Sequence, residues 1–97
     1  MKKNSVLRRL SNLKEPLSAV GVTKLGLFGS TVRGDNTAHS DIDILIDFGA
    51  GQETYMNFLN ACQILEQNFK RNKLDVVTRN GMSPYIGKTI LSEVEYV

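Results

Sequence analysis

Residues 41–48, DIDILIDF, alternate between two kinds of side chain, and that period of two reads as a strand with one apolar face. Ile42, Ile44, Ile46 and Phe48 lie on one side, and Asp41, Asp43, Leu45 and Asp47 on the other. The apolar side must be covered by the rest of the chain, while the acidic side must meet water or ions. Aspartate is a poor strand former because its short side chain competes with the backbone for hydrogen bonds. Two of them at i and i+2 also aim like charges at one face, so something has to offset the repulsion.

The flanking sequence supplies the cover. Val6, Leu7, Leu10, Leu13, Leu17 and Val20 recur at helical spacing over residues 5–20, in a helix that Pro16 should break or kink near Lys14 and that Gly21 ends. Lys24 to Phe28 reads as a short buried strand, closed by Gly29-Ser30 and a polar connection with Gly34, Asp35 and Asn36. After the strand from Asp41 to Phe48, the residues Tyr55, Phe58, Leu59, Cys62, Leu65 and Phe69 predict a second amphipathic helix, with Lys70 and Arg71 at its end. A third strand over 73–78 puts Leu74 and Val76 on one face and Asp75 and Val77 on the other. Ser83-Pro84 has the form of an N-cap followed by proline at the first helical position, with Ile86, Ile90 and Val94 as the buried stripe, and Tyr96-Val97 adds a short edge strand. The expected architecture is α/β (α+β), a single domain over 1–97, with a small mixed sheet and its helices packed on one face. The other face is left free for a site.

Composition narrows the setting. Twelve basic residues against ten acidic give a formal net charge of +2. Lys2-Lys3, Arg8-Arg9 and Lys70-Arg71 read as solvated helix faces or ends, so no direct nucleic-acid binding is predicted. Cys62, the only cysteine, excludes an intramolecular disulfide and a cysteine-based zinc site, and reads as a buried packing residue. No apolar run approaches the roughly 20 residues of a membrane span, and the basic N-terminus lacks the apolar core of an export signal. A cytoplasmic location is the expectation.

If Asp75 pairs beside Asp41 and Asp43, three carboxylates converge on the open face. At about 4 Å and an effective dielectric near 20, each like-charge pair is unfavourable by roughly 4 kcal/mol. Without a cation, one of them has to hold a proton. Magnesium fits this set because it takes one or two carboxylates and completes its octahedron with water and substrate phosphate. Gly29-Ser30 suits the phosphate: glycine lets backbone approach an anion, Ser30 adds a hydroxyl, and Arg33 carries a fork of donors within reach. Ser40 reads as a hydrogen bonder at the strand start, near the phosphate. Asp47 lies roughly 13 Å beyond Asp43 at strand rise, too far for the same ion. His39 and Lys88 read as solvated, and Tyr55, Met56, Phe58 and Phe69 as core or partner surface.

The assembly of Gly29-Ser30, ten intervening residues, Asp41-x-Asp43 and a later strand LDVVT resembles the minimal nucleotidyltransferases of the polymerase beta-like superfamily. Val32 stands where that family often has alanine, which leaves the polar positions intact. The resemblance implies that Asp41 and Asp43 ligate two Mg²⁺ ions, with Mn²⁺ as a substitute, and that Asp75 completes one metal site and is catalytic with them. It implies that Gly29, Ser30, Arg33 and Ser40 line the nucleotide. It implies transfer of AMP from ATP to a hydroxyl, specifically a tyrosine of a small all-helical HEPN-type toxin, for which the chain is the antitoxin. Two alternatives stay open: a non-catalytic antitoxin acting by occlusion, and nucleotidylation of a small molecule such as an aminoglycoside.

Overall fold

A computed structural model describes residues 1–97. In chain order the elements are α1 (Lys3–Ser11), α2 (Lys14–Ser18), β1 (Val22–Phe28), α3 (Ser30–Arg33), β2 (Ile42–Phe48), α4 (Tyr55–Asn68), β3 (Leu74–Thr78), α5 (Pro84–Glu93) and β4 (Glu95–Tyr96). The break between α1 and α2 falls at Asn12-Leu13, four residues before Pro16. Proline has no N–H for the carbonyl four residues back and its ring collides with that carbonyl, so the interruption appears upstream of the proline itself.

The sheet has the order β3-β2-β1-β4. β1 is antiparallel to both β2 and β4, and β2 is parallel to β3, which makes the sheet mixed as expected. A parallel pair needs a crossover, and the 14-residue α4 provides it, its start capped by the Thr54 hydroxyl accepting from the Asn57 amide at 3.1 Å. The α5 start is as the sequence implies, with Ser83 accepting from the Ile86 amide at 3.3 Å and Pro84 at the first position.

Leu25, Leu27, Ile42, Ile44, Ile46 and Phe48 meet Val6, Leu10, Leu17, Ala61, Leu65 and Phe69 in the main core, so α1, α2 and α4 cover one face. The layering departs from the expectation in one respect. A second cluster, Phe28, Leu45 and Ile90 with Val77, Met82 and Val94 against it, lies on the opposite face, so α5 packs on the carboxylate side. Leu45, the lone apolar residue among Asp41, Asp43 and Asp47, is its anchor on β2. The acidic face is thus half covered, and the part left open is the end that carries Asp43 and Asp75.

Two helical stripes also differ from the spacing argument. In α4 the residues turned inward include Ala61 and Leu65, while Tyr55 and Leu59 are exposed and Cys62 is half-buried. Ala61 carries little apolar weight in a sequence pattern, which shifts the apparent stripe by one position. In α5, Ile90 is buried but Ile86 is 60% exposed, so the buried stripe does not reach the first turn. No helix is long and apolar enough to cross a membrane.

Candidate active site

β1 delivers the chain to Gly29, whose φ of +77° is a conformation that L side chains rarely adopt. A Cβ there would also fall on the Asp43 side chain, 2.9 Å from its Cγ and closer still to a carboxylate oxygen. Glycine is therefore required twice, once for the turn and once for the approach of Asp43 to the backbone. The Val32 and Arg33 amides both donate to the Gly29 carbonyl at 3.1 Å, which winds the single turn of α3, and Gly34 closes it at φ +85°. One turn is too short to build a sizeable macrodipole. What it presents is individual donors: the Ser30 and Thr31 amides have no main-chain partner.

The parallel register sets Asp43 directly beside Asp75, and Asp41 lies two residues earlier on the same side of the chain. Asp41 and Asp43 are half-buried and Asp75 is exposed. Burial, then the charges of Asp75 and Asp41, push the Asp43 carboxyl up to about 6, against the pull of Arg33. No three acidic, histidine or cysteine side chains are placed together to hold a metal ion, so Asp41, Asp43 and Asp75 do not converge as a set of three as the sequence suggests. The side-by-side pair Asp43 and Asp75 offers what a cation needs if it takes one or two carboxylates and fills the rest of its sphere with water and phosphate.

Asp43 makes a testable contribution to stability. Its folded pKa lies above its ordinary value of 3.8, so between the two the folded state binds more protons than the unfolded one. Stability from this group is then complete below about pH 3.8 and lost as pH rises through 6. Asp43→Asn is expected to raise the melting temperature at pH 8 in metal-free buffer, with the gain shrinking toward pH 4.5. Thermal unfolding at the two pH values checks this, and a gain independent of pH would contradict it.

Arg33 sits one turn beyond Ser30, where its Nη1 donates to both oxygens of Glu93 at 3.3 and 3.2 Å and its Nε to Asp35 at 3.4 Å. Glu93 and Asp35 together raise its pKa above the ordinary guanidinium value. The same Glu93 accepts from the Gly29 amide at 3.0 Å. Sequence reasoning missed this residue. The available signal was an acid at the last position of a helix with no basic residue in its final turn, where the helix disfavours negative charge.

Ser40 closes the turn before β2, its hydroxyl accepting from the Thr37 amide at 2.8 Å. His39 is exposed and uses its amide for the same turn, donating to the Thr37 hydroxyl at 3.2 Å. Asp47 lies at the far end of β2 opposite Lys24, away from the other acids, and Lys88 is exposed on α5. Cys62 is half-buried rather than buried, and burial with Glu66 nearby raises its thiol pKa, which keeps it protonated and inert.

A strand, a glycine-serine turn, an Asp-x-Asp strand and an acid on the neighbouring parallel strand define the class of nucleotide-transferring enzymes. The model of the nucleotidyltransferase domain family matches residues 7–97, and the chain belongs to that family, among its minimal nucleotidyltransferases. It is 37% identical over 84 residues to the protein adenylyltransferase MntA of Thermococcus cleftensis, covering 87% of this chain and 83% of the relative. A provisionally named protein adenylyltransferase of Methanocaldococcus jannaschii is 30% identical over 94% of this chain and its own full length. Two solved structures share the fold. A provisionally named minimal nucleotidyltransferase superposes with a TM-score of 0.82 at 24% identity, over 98% of this chain and 95% of the other. A toxin-antitoxin crystallised with AMP-PNP gives 0.67 at 19% identity, over 99% of this chain and 72% of the other.

Proposed function

We propose that this nucleotidyltransferase transfers AMP from ATP to a hydroxyl of a protein partner, a tyrosine of a HEPN-type toxin, and so acts as an antitoxin. The observation that carries the reading is the contact between Gly29 and Asp43, which joins the anion-binding turn and the carboxylate pair into one site. The names of the archaeal relatives and the toxin-antitoxin likeness support the acceptor. Exposed apolar side chains on α4 (Tyr55, Met56, Leu59) and, on the opposite face of the sheet, on α5 (Tyr85, Ile86, Leu91) leave surface on either helix that a protein partner could cover.

In this reading the Ser30 hydroxyl and the amides of the α3 turn hold the β and γ phosphates, and Arg33 neutralises them. Ser40 stiffens the approach to Asp41. Asp41, Asp43 and Asp75 would hold two divalent ions, Mg²⁺ or Mn²⁺, together with water and the phosphates. When bound, the ions lower the pKa of the attacking hydroxyl and neutralise the departing pyrophosphate. The acceptor oxygen forms a bond to the α phosphorus, the bond to the bridging oxygen breaks, and Asp75 at the exposed rim takes the proton.

Incubation with labelled ATP, Mg²⁺ and the product of the neighbouring gene is expected to leave label on a tyrosine of that product. Protection of cells by the chain without any label on the partner would replace transfer by occlusion. Label on an added aminoglycoside and none on the protein would move the acceptor to a small molecule.

A further inference from the structure

Arg33, assigned above to the triphosphate, and the amide of Gly29 at the start of the same turn are engaged by a carboxylate from the far end of the chain. Glu93 Oε1 accepts from the Gly29 amide at 3.0 Å and from Arg33 Nη1 at 3.3 Å, while Oε2 accepts from the same nitrogen at 3.2 Å. A backbone amide and a guanidinium converging on one anion is the pattern by which phosphate oxygens are held. We propose that Glu93 is an internal competitor for the nucleotide, its carboxylate resting in the seat of a phosphate and leaving when triphosphate enters. This rests on the nucleotide reading of the site given above.

The position of Glu93 makes it suited to exchange. Its side chain is only 21% exposed, so it has given up most of its water for these donors. It is the last residue of α5, with no basic residue in the final turn, and there the helix itself opposes an anion. What keeps it in place is the pairing with Gly29 and Arg33, and a phosphate offers the same pairing with more charge. The backbone on its far side is pinned, because β4 begins two residues later and pairs with β1 at Gly26 and Leu27. Release therefore needs only rotation of the Glu93 side chain, with the sheet unmoved. A competitor of this kind sets how much nucleotide is required without touching the reacting atoms. If the seat is filled nine-tenths of the time, apparent affinity falls about tenfold.

The test is calorimetric titration of Mg²⁺-AMP-PNP, and separately of Mg²⁺-tripolyphosphate, into the wild-type chain, Glu93→Gln and Glu95→Gln. Glu95 controls for charge: it is a neighbouring acid paired with Lys3 at 3.0 Å, outside the turn. Glu93→Gln is expected to bind both probes about tenfold more tightly, Glu95→Gln within about twofold of wild type, and the transfer reaction to show a lower KM with kcat retained. Wild-type binding that Glu93→Gln leaves unchanged or weakens overturns the proposal while leaving the nucleotide site standing. Failure of every variant and of the wild type to bind either probe strikes the nucleotide site itself, and the proposal with it. A second measurement covers a poorly folded variant. In wild-type protein carrying ¹³C-glutamate, the Glu93 carboxylate resonance is expected to move to its water-exposed position as tripolyphosphate is added, and a stationary resonance overturns the proposal.

Discussion

The Asp41→Asn, Asp43→Asn double variant is expected to lose AMP transfer by on the order of a thousandfold or more, while folding at least as well as the wild type in metal-free buffer at pH 8. The two halves of that result come from one cause. Asp43 is pressed up to about 6 by burial and by the charges of Asp75 and Asp41. Removing charge at this site relieves the fold and replaces the anionic carboxylates that would hold the ions by neutral amides. A loss of activity accompanied by a rise in melting temperature cannot be ascribed to unfolding. Label transfer from ATP and thermal unfolding, measured on the same preparations, check both halves. Transfer at the wild-type rate would remove these aspartates from the chemistry.

Gly29→Ala is expected to abolish nucleotide binding, whereas Gly34→Ala is expected to keep it. Both glycines have positive φ, +77° and +85°, but Gly34 lies in the left-handed α region, where alanine strains the backbone by about 1–2 kcal/mol, while Gly29, with ψ −154°, lies in a region essentially open to glycine alone. They also differ in what surrounds them. A methyl group at Gly34 meets nothing within 4 Å, and one at Gly29 strikes the Asp43 carboxylate. Gly34→Ala thus measures the strain of a left-handed residue alone, and the excess in Gly29→Ala contains the displacement of Asp43 together with the more forbidden backbone angles of Gly29. Calorimetric binding of Mg²⁺-AMP-PNP with melting temperatures for both variants separates the two. Equal losses in the pair would mean that the contact between turn and carboxylate has no part in binding.

What could be read in advance follows how local the cause is. The alternation in β2, the cap at Ser83-Pro84 and the interruption caused by Pro16 each depend on neighbours in sequence, and each is found. The proximity of Asp75 to Asp43 depends on strand pairing, which spacing alone leaves open and the family resemblance supplied. The position of α5 was misjudged because Leu45 looks like a stray apolar residue on an acidic face, although it is the anchor on which Ile90 packs. For Glu93 the sequence marks only an acid misplaced at a helix end: its partners lie 60 and 64 positions away, and no pattern inside α5 points to them.

The parallel pairing of β2 with β3 also bears on when the site comes into being. β1 and β2 can zip together as antiparallel neighbours early, with Asp41 and Asp43 already on one strand. β3 joins only after the intervening crossover helix has formed and docked, a closure over a long span of chain that is intrinsically slow. By this contact-order argument Asp75 is expected to join after Asp41 and Asp43, with its charge opposing the pairing of β3. Divalent cations present during refolding are expected to speed that step, so the nascent chain gains its third acid and its ions together.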